Sequence, residues 1–252
     1  MQFQDKVVLI TGGARGVGRA VAIAFANEGA RVAINYRSNT EAANECLSLL
    51  QGEGHRSYQA DLADPVAIQN MVNIVAASFG RIDILVNNAG IHEVHPIDNV
   101  DYTTWQKEWH DTLAVNLVGA ANATYCAAQH MIKQGEGSIV FISSRGAFRG
   151  EPDQPAYGAS KAGMNSMAQS LAQKLAPHNI SCGVVAPGFI ETDMTKEILE
   201  GPRGEGIRAQ SPYGRVAKPE EVAQATLFLA DRKNHFMSGA ISDVNGASYL
   251  RT

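Results

Sequence analysis

Seven short runs recur along the chain, most of them apolar and β-branched: "KVVLIT", "RVAINY", "RSYQA", "DILVNNA", "SIVFIS", "CGVVAP" and "AISDVNG". Stretches of helical length separate most of them. Runs of this kind suit strands buried on both faces. Their alternation with helices predicts a parallel sheet of about seven strands, doubly wound, with helices on both faces and right-handed crossovers. No low-complexity linker divides the 252 residues, so residues 1–252 read as one α/β domain. In such sheets ligands bind outside the carboxyl ends of the strands.

With 45% hydrophobic and 18% charged residues, the chain carries enough apolar material for a full core without disulfides. The net charge of −4 and the scattered basic residues exclude a polyanion-binding protein, so neither nucleic acid nor an anionic membrane is expected as partner. Cys46, Cys126 and Cys182 form no metal-binding spacing and read as packing residues of a reducing compartment. The segment "MQFQDKVVLITGG" lacks a basic n-region and a cleavage site, and no stretch reaches membrane-spanning length. The expected location is cytoplasmic.

The first strand runs into "TGGARGVGRAVAIAFANEG", with glycines at 12, 13, 16 and 18 ahead of an amphipathic helix. Glycines let backbone turn tightly against a pyrophosphate, whose charge meets free N–H groups and the positive helix end. This is a Rossmann-type phosphate cradle with the spacing T-G-x-x-x-G-x-G. A ribose-binding acid normally stands about 20 residues on. Here Asn35 takes that place, followed by Tyr36, Arg37 and Ser38, and Arg15 lies in the loop. Without the carboxylate nothing repels a 2′-phosphate, and two guanidiniums can grip it. The expected cofactor is NADP(H).

"SIVFISS" ends a strand at Ser144, and Tyr157 and Lys161 open the following helix. At i, i+4 the two side chains share a face, so the ammonium is expected to favour the phenolate. Tyr157 would then act as general acid towards a carbonyl and general base towards an alcohol, with Ser144 bonding the developing alkoxide.

Taken together these segments resemble the classical short-chain dehydrogenases/reductases. The resemblance rests on T-G-G-A-R-G-V-G at 11–18, D-L at 61–62, N-N-A-G at 87–90, Asn116 in "LAVNLVG", Ser144, Y-x-x-x-K at 157–161 and P-G-F-I-E-T at 187–192. It implies a catalytic tetrad of Asn116, Ser144, Tyr157 and Lys161, in which Asn116 supports a water linking Lys161 to solvent and Lys161 also holds the nicotinamide ribose. It implies cofactor contacts from Gly12, Arg15, Gly16, Val17 and Gly18, from Asn35 to Ser38, and from Asp61 and Leu62. Asn88, Ala89 and Gly90 line the adenosine side, Tyr157 and Lys161 the nicotinamide ribose. Pro187, Gly188, Ile190 and Thr192 complete the set, with Thr192 on the carboxamide. No metal is expected.

Within that family, "NYRSN", "APGFIETDM" and "YGRVAKPEEVAQATLFLAD" look most like the 3-oxoacyl-[acyl-carrier-protein] reductases. This implies an acyl thioester or other small carbonyl substrate and acyl carrier protein as partner. The positions that carry basic docking residues in those reductases hold Gly135 and His178 here, with Lys133 and Lys174 nearby, and "SDVNGAS" replaces the frequent Val-Asp-Gly-Gly ending. A sugar or simple-alcohol dehydrogenase is the alternative, while a non-catalytic dinucleotide sensor has no need of the tetrad. The family resemblance also implies a homotetramer, with helices near 109–133 and 157–176 at one interface and the C-terminal strand at another.

Three further features stand out. His92 and His95, in the long segment after Gly90, lack a third ligand and read as a surface loop. Arg145 and Arg149 follow Ser144, where they either attract an anionic substrate group or are simply solvated, with Glu151 close enough to neutralise one of them. Phe189, Ile190, Met194, Ile198 and Leu199 read either as a mobile apolar lid, about 189–212, over a carbonyl substrate or as a helix contributing to the core.

Overall fold

The computed structural model describes residues 1–251, the side chain of Met194 excepted. The chain begins with β1 (Val7–Ile10), α1 (Gly16–Asn27), β2 (Arg31–Tyr36), α2 (Thr40–Leu49), β3 (Arg56–Gln59) and α3 (Pro65–Phe79). It continues with β4 (Ile84–Asn87), α4 (Tyr102–Leu113), a wide π-helical turn at Ala114–Gly119, α5 (Ala120–Gln134) and β5 (Gly137–Ile142). The short helix α6 (Gly146–Arg149) precedes α7 (Pro155–Leu175), β6 (Ile180–Pro187), α8 (Asp193–Glu200), α9 (Gly204–Arg208), α10 (Pro219–Ala230) and β7 (Ile241–Val244).

The strands form one seven-stranded parallel sheet in the order β3-β2-β1-β4-β5-β6-β7. Val8 on β1 pairs with Val32 on one side and Ile84 on the other. Each of the four β1 side chains is fully buried, which explains why these strands read as continuous apolar runs. One core layer gathers Ile68, Met131, Phe141 and Met164 under α3, α5 and α7, and the other gathers Ile10, Phe25, Ile34 and Val222 under α1, α2 and α10. Burying each such side chain contributes about 1.5–3 kcal/mol. Among the described residues no helix is long and apolar enough to cross a membrane.

Helix ends follow local chemistry. Asp64 caps α3 by accepting the Val66 and Ala67 N–H groups ahead of Pro65, and Gly80 ends it at φ 78°. The sheet reverses its winding between β1 and β4. The loops leaving those two strands therefore face one crevice, where this topology places a ligand.

Candidate active site

The glycine loop is tied into that crevice by its neighbours. Thr11 Oγ1 accepts the N–H groups of Asn88 at 3.0 Å and Ala89 at 3.1 Å, and Asn88 Nδ2 donates to the carbonyls of Thr11 and Gly12. Gly12 and Gly16 have φ of +62° and +55°, a region costly for any other residue at such a turn. A Cβ on Gly18 would stand 2.2 Å from the Gly12 carbonyl oxygen, so only glycine lets α1 close on the loop. The first turn of α1 has neither a side-chain cap nor an acidic residue. Its N–H groups are left for an anion, and the cradle fits a dinucleotide pyrophosphate.

Asn35 departs from its expected place at the ribose. It is buried, with Oδ1 accepting the Gly12 N–H at 3.2 Å and Nδ2 donating to the Ala60 carbonyl at 3.0 Å. A short amide bridging two backbones satisfies groups a carboxylate would leave unmet, so Asn35 supports the loop from beneath. Tyr36 is half-buried, whereas Arg15, Arg37 and Ser38 are exposed. Arg19 pairs with Glu45 at 3.1 Å, but among the described residues neither Arg15 nor Arg37 has a carboxylate partner. Asp61 is exposed and accepts the Ala63 N–H, Leu62 is buried, and Val17 packs against the core.

Opposite the loop, Asn116, Ser144, Tyr157 and Lys161 come together from three elements. Pro155 starts α7 and sets Tyr157 and Lys161 on its opening turns. Lys161, 3% exposed, donates from Nζ to the Ile142 carbonyl at 2.8 Å and lies 5.7 Å from the centre of the Tyr157 ring. Asn116 is fully buried on the π-helical turn, donating to the Ile91 carbonyl at 2.9 Å and to Ser160 Oγ at 3.2 Å, while its Oδ1 accepts the Ile91 N–H. Above them stands Gly90, where a Cβ would lie 3.3 Å from Asn116 Oδ1 and 3.5 Å from Lys161 Nζ. Ser144 Oγ accepts the Gly146 N–H at 3.0 Å.

Electrostatically the pair differs from the expectation that the ammonium acidifies the phenol. Burial pushes the Tyr157 hydroxyl above its usual range, the hydrogen bond with Ser144 opposes that rise, and Glu151 adds to it. Burial also pulls the Lys161 amine down to about 8. Desolvation is the largest influence on both groups, so Tyr157 stays protonated at neutral pH, the state a general acid requires.

The segment after Gly90 is the expected loop, with Glu93, Val94 and Ile97 exposed, but one of its two histidines departs from the surface. His95 is fully buried. Its Nε2 accepts the Ala156 N–H at 3.3 Å, its Nδ1 faces the Glu93 carbonyl at 2.8 Å, and its ring stands edge-on to Trp105. With both nitrogens engaged, His95 secures the start of α7. His92 stands edge-on to the Tyr157 ring, with centroids 5.0 Å apart, and burial holds its pKa below the usual value. The H-x-x-H spacing is visible in the sequence, but nothing there shows that His95 turns inward.

The expected lid is helical and anchored. Ile190 bridges to Ala217, Thr192 and Thr195 form the capping box of α8, and Leu199 and Ile207 are 5% and 6% exposed. Phe189 and Ile198 are half-buried, and the Met194 side chain lies outside the described residues. Pro187 is buried, and the Gly188 N–H bonds the Val244 carbonyl, joining this segment to the end of β7. Arg145 is buried without pairing to Glu151.

The sequence profile described as short chain dehydrogenase matches residues 6–203. The chain belongs to the short chain dehydrogenase family. Among its relatives, the 3-oxoacyl-[acyl-carrier-protein] reductase FabG of Escherichia coli (strain K12) is 36% identical over 99% of this chain and 100% of that protein. The enzyme of that name from Thermotoga maritima is 40% identical over 98% of each chain. A short chain dehydrogenase from Burkholderia cenocepacia J2315, solved in complex with NADP, superposes with a TM-score of 0.89 at 34% identity, covering 98% of this chain and 99% of that one. A short-chain dehydrogenase/reductase mutant from Serratia marcescens gives a TM-score of 0.92 at 30% identity. The dehydrogenase described here is thus an oxidoreductase with relatives matched along nearly its whole length.

Several supporting groups of this short chain dehydrogenase escaped sequence reading. The carbonyl of Ile142 anchors Lys161, Ser160 links Asn116 to the Tyr157 carbonyl, and Thr11 ties β1 to the β4 loop. Backbone acceptors leave no mark in a sequence.

Proposed function

We propose that the chain is an NADPH-dependent carbonyl reductase, acting on a 3-oxoacyl thioester or a related small ketone. The observation that carries this reading is the convergence of Ser144, Tyr157, Lys161 and Asn116 beneath Gly90, at the strand ends beside the glycine loop. Arg15 and Arg37 would hold the 2′-phosphate, the α1 N-terminus the pyrophosphate, Lys161 the nicotinamide ribose and Thr192 the carboxamide. Bound there, NADPH supplies a hydride to the carbonyl carbon. Ser144 orients the carbonyl oxygen and stabilises its developing charge. Tyr157 gives that oxygen its proton, and the phenolate so formed recovers one from Lys161, which solvent recharges through a water supported by Asn116.

The relatives' name supports an acyl thioester and a carrier-protein partner, for which exposed Lys133 and Lys174 supply positive charge near Gly135 and His178. A free sugar or simple ketone is the second reading, favoured by His92 packed on Tyr157 at the mouth. A homotetramer formed through α5, α7 and β7, cytoplasmic location and a closing role for 189–212 complete the proposal. Tyr157→Phe should remove turnover of acetoacetyl thioester by at least about a thousandfold while NADPH binds as before, a loss in the range of an essential proton donor. Retained turnover sinks the assignment.

A further inference from the structure

Arg145 immediately follows Ser144, and its backbone N–H is fixed to the Pro187 carbonyl at 2.8 Å. Its side chain enters a cavity of about 330 Å³, whose wall includes Phe189, Ile207, Ser211, Tyr213 and Ser248. It is 4% exposed, yet its hydrogen-bond partners are neutral: Ser248 Oγ at 2.6 Å and Gln210 Oε1 at 2.5 Å. The Phe189 ring lies 5.1 Å from the guanidinium carbon.

The carboxylates of this cavity are already matched. Glu221 is paired with Arg215 at 2.7 Å and Asp243 with Arg251 at 2.8 Å. Among the described residues Arg145 has no ion pair, and the nearby Arg149 adds positive charge while Glu151 offsets it only at a distance. A buried cation held by two neutral acceptors and an aromatic face is stable only in part. Its planar fork is oriented by Ser248 and Gln210, and its five N–H donors exceed those two acceptors, which leaves donors to spare for an oxyanion. Phe189 and Gln210 belong to the segment between Pro187 and α10, so an occupant of the cavity would touch the expected lid.

We infer that this cavity receives an oxyanionic group, carboxylate or phosphate, of a carbonyl substrate, and that Arg145 recognises it. The inference rests on the carbonyl-reductase reading and narrows it to negatively charged ketones.

The test compares oxo-carboxylates of increasing ketone-to-carboxylate spacing with their methyl esters, and adds dihydroxyacetone phosphate to separate phosphate from carboxylate. In the wild type, kcat/KM should favour at least one anion over its uncharged counterpart. Arg145→Met should lower that preference by about tenfold or more, as expected for a charged hydrogen bond, and Arg145→Lys should restore part of it. Calorimetric titration of the preferred anion into both proteins reads the same discrimination without turnover. Thus NADPH oxidation with uncharged ketones alone tests the reductase reading, and anion binding alone tests the cavity. Equal anion binding by wild type and Arg145→Met, or a wild-type preference for every ester, overturns the inference. So does loss of oligomerisation in Arg145→Met with substrate preference intact, since the counter-charge would then come from a second copy.

Discussion

His95 accepts the backbone N–H of Ala156 at 3.3 Å, directly before Tyr157. Ala156 lies in the first turn of α7, where helix donors have no partner of their own. The side chain at 95 therefore replaces a missing turn of helix and fixes where the phenol begins. His95→Ala should destabilise the fold by about 1–3 kcal/mol, the cost of a buried donor left unmet, read by urea unfolding. It should also lower kcat more than it raises KM. An unchanged unfolding midpoint would contradict this role.

Lys161 gives stability a definite pH dependence. Its amine falls to about 8 in the fold from an unfolded value of 10.5, so between those values the unfolded chain binds more protons. Stability should consequently rise from pH 8 to about pH 10, and below about 8 the full penalty of a buried charge remains. Above 10 the raised Tyr157 phenol acts in the opposite sense and stability should fall, because there the folded state holds the extra proton. Lys161→Met should flatten the rise between 8 and 10. Denaturant titrations across this range decide the matter, and a wild-type slope of zero or of opposite sign refutes it.

Arg37 is exposed at the end of β2, free of any carboxylate among the described residues. Arg37→Asp should weaken NADPH by about tenfold to a hundredfold, the range of a charged hydrogen bond lost, and move preference towards NADH. Fluorescence titration of both cofactors measures it. Equal affinity of the wild type for NADH and NADPH would remove the basis for a 2′-phosphate site.

Gly18 tests the cradle independently of charge. Because an added methyl would fall 2.2 Å from the Gly12 oxygen and 2.6 Å from Asn88 Nδ2, Gly18→Ala must displace the loop or the helix. Nucleotide binding should be lost for both cofactors alike, with the sheet's circular dichroism retained. Normal binding would mean that the loop yields more easily than its packing implies.

Much of this arrangement was legible in the residues. The apolar runs announced the sheet because strands buried on both faces leave no alternation to misread, as Val7 to Ile10 illustrate. The glycine spacing and the i, i+4 pair marked the two ends of the crevice for equally local reasons. Asn35 was misplaced because its orientation depends on Gly12 and Ala60, which only the folded sheet brings within reach. The sign of the Tyr157 shift was hidden too. Spacing revealed the neighbouring amine, but the depth of burial is a property of the whole packing. His95 looked like a solvent-facing residue because no pattern distinguishes a histidine that turns inward from a surface loop.

The wide turn at Ala114–Gly119 has a mechanical consequence. One surplus residue in a helix shifts the angular phase of everything after it by about 100°. Asn116, within the turn, can face inward while α5 still presents Ala123, Ala127 and Met131 to the sheet, because the turn resets the angular phase before α5 begins. Removing a single residue here would rotate one of the two sets away from its target, so this stretch should resist shortening far more than the loops around it.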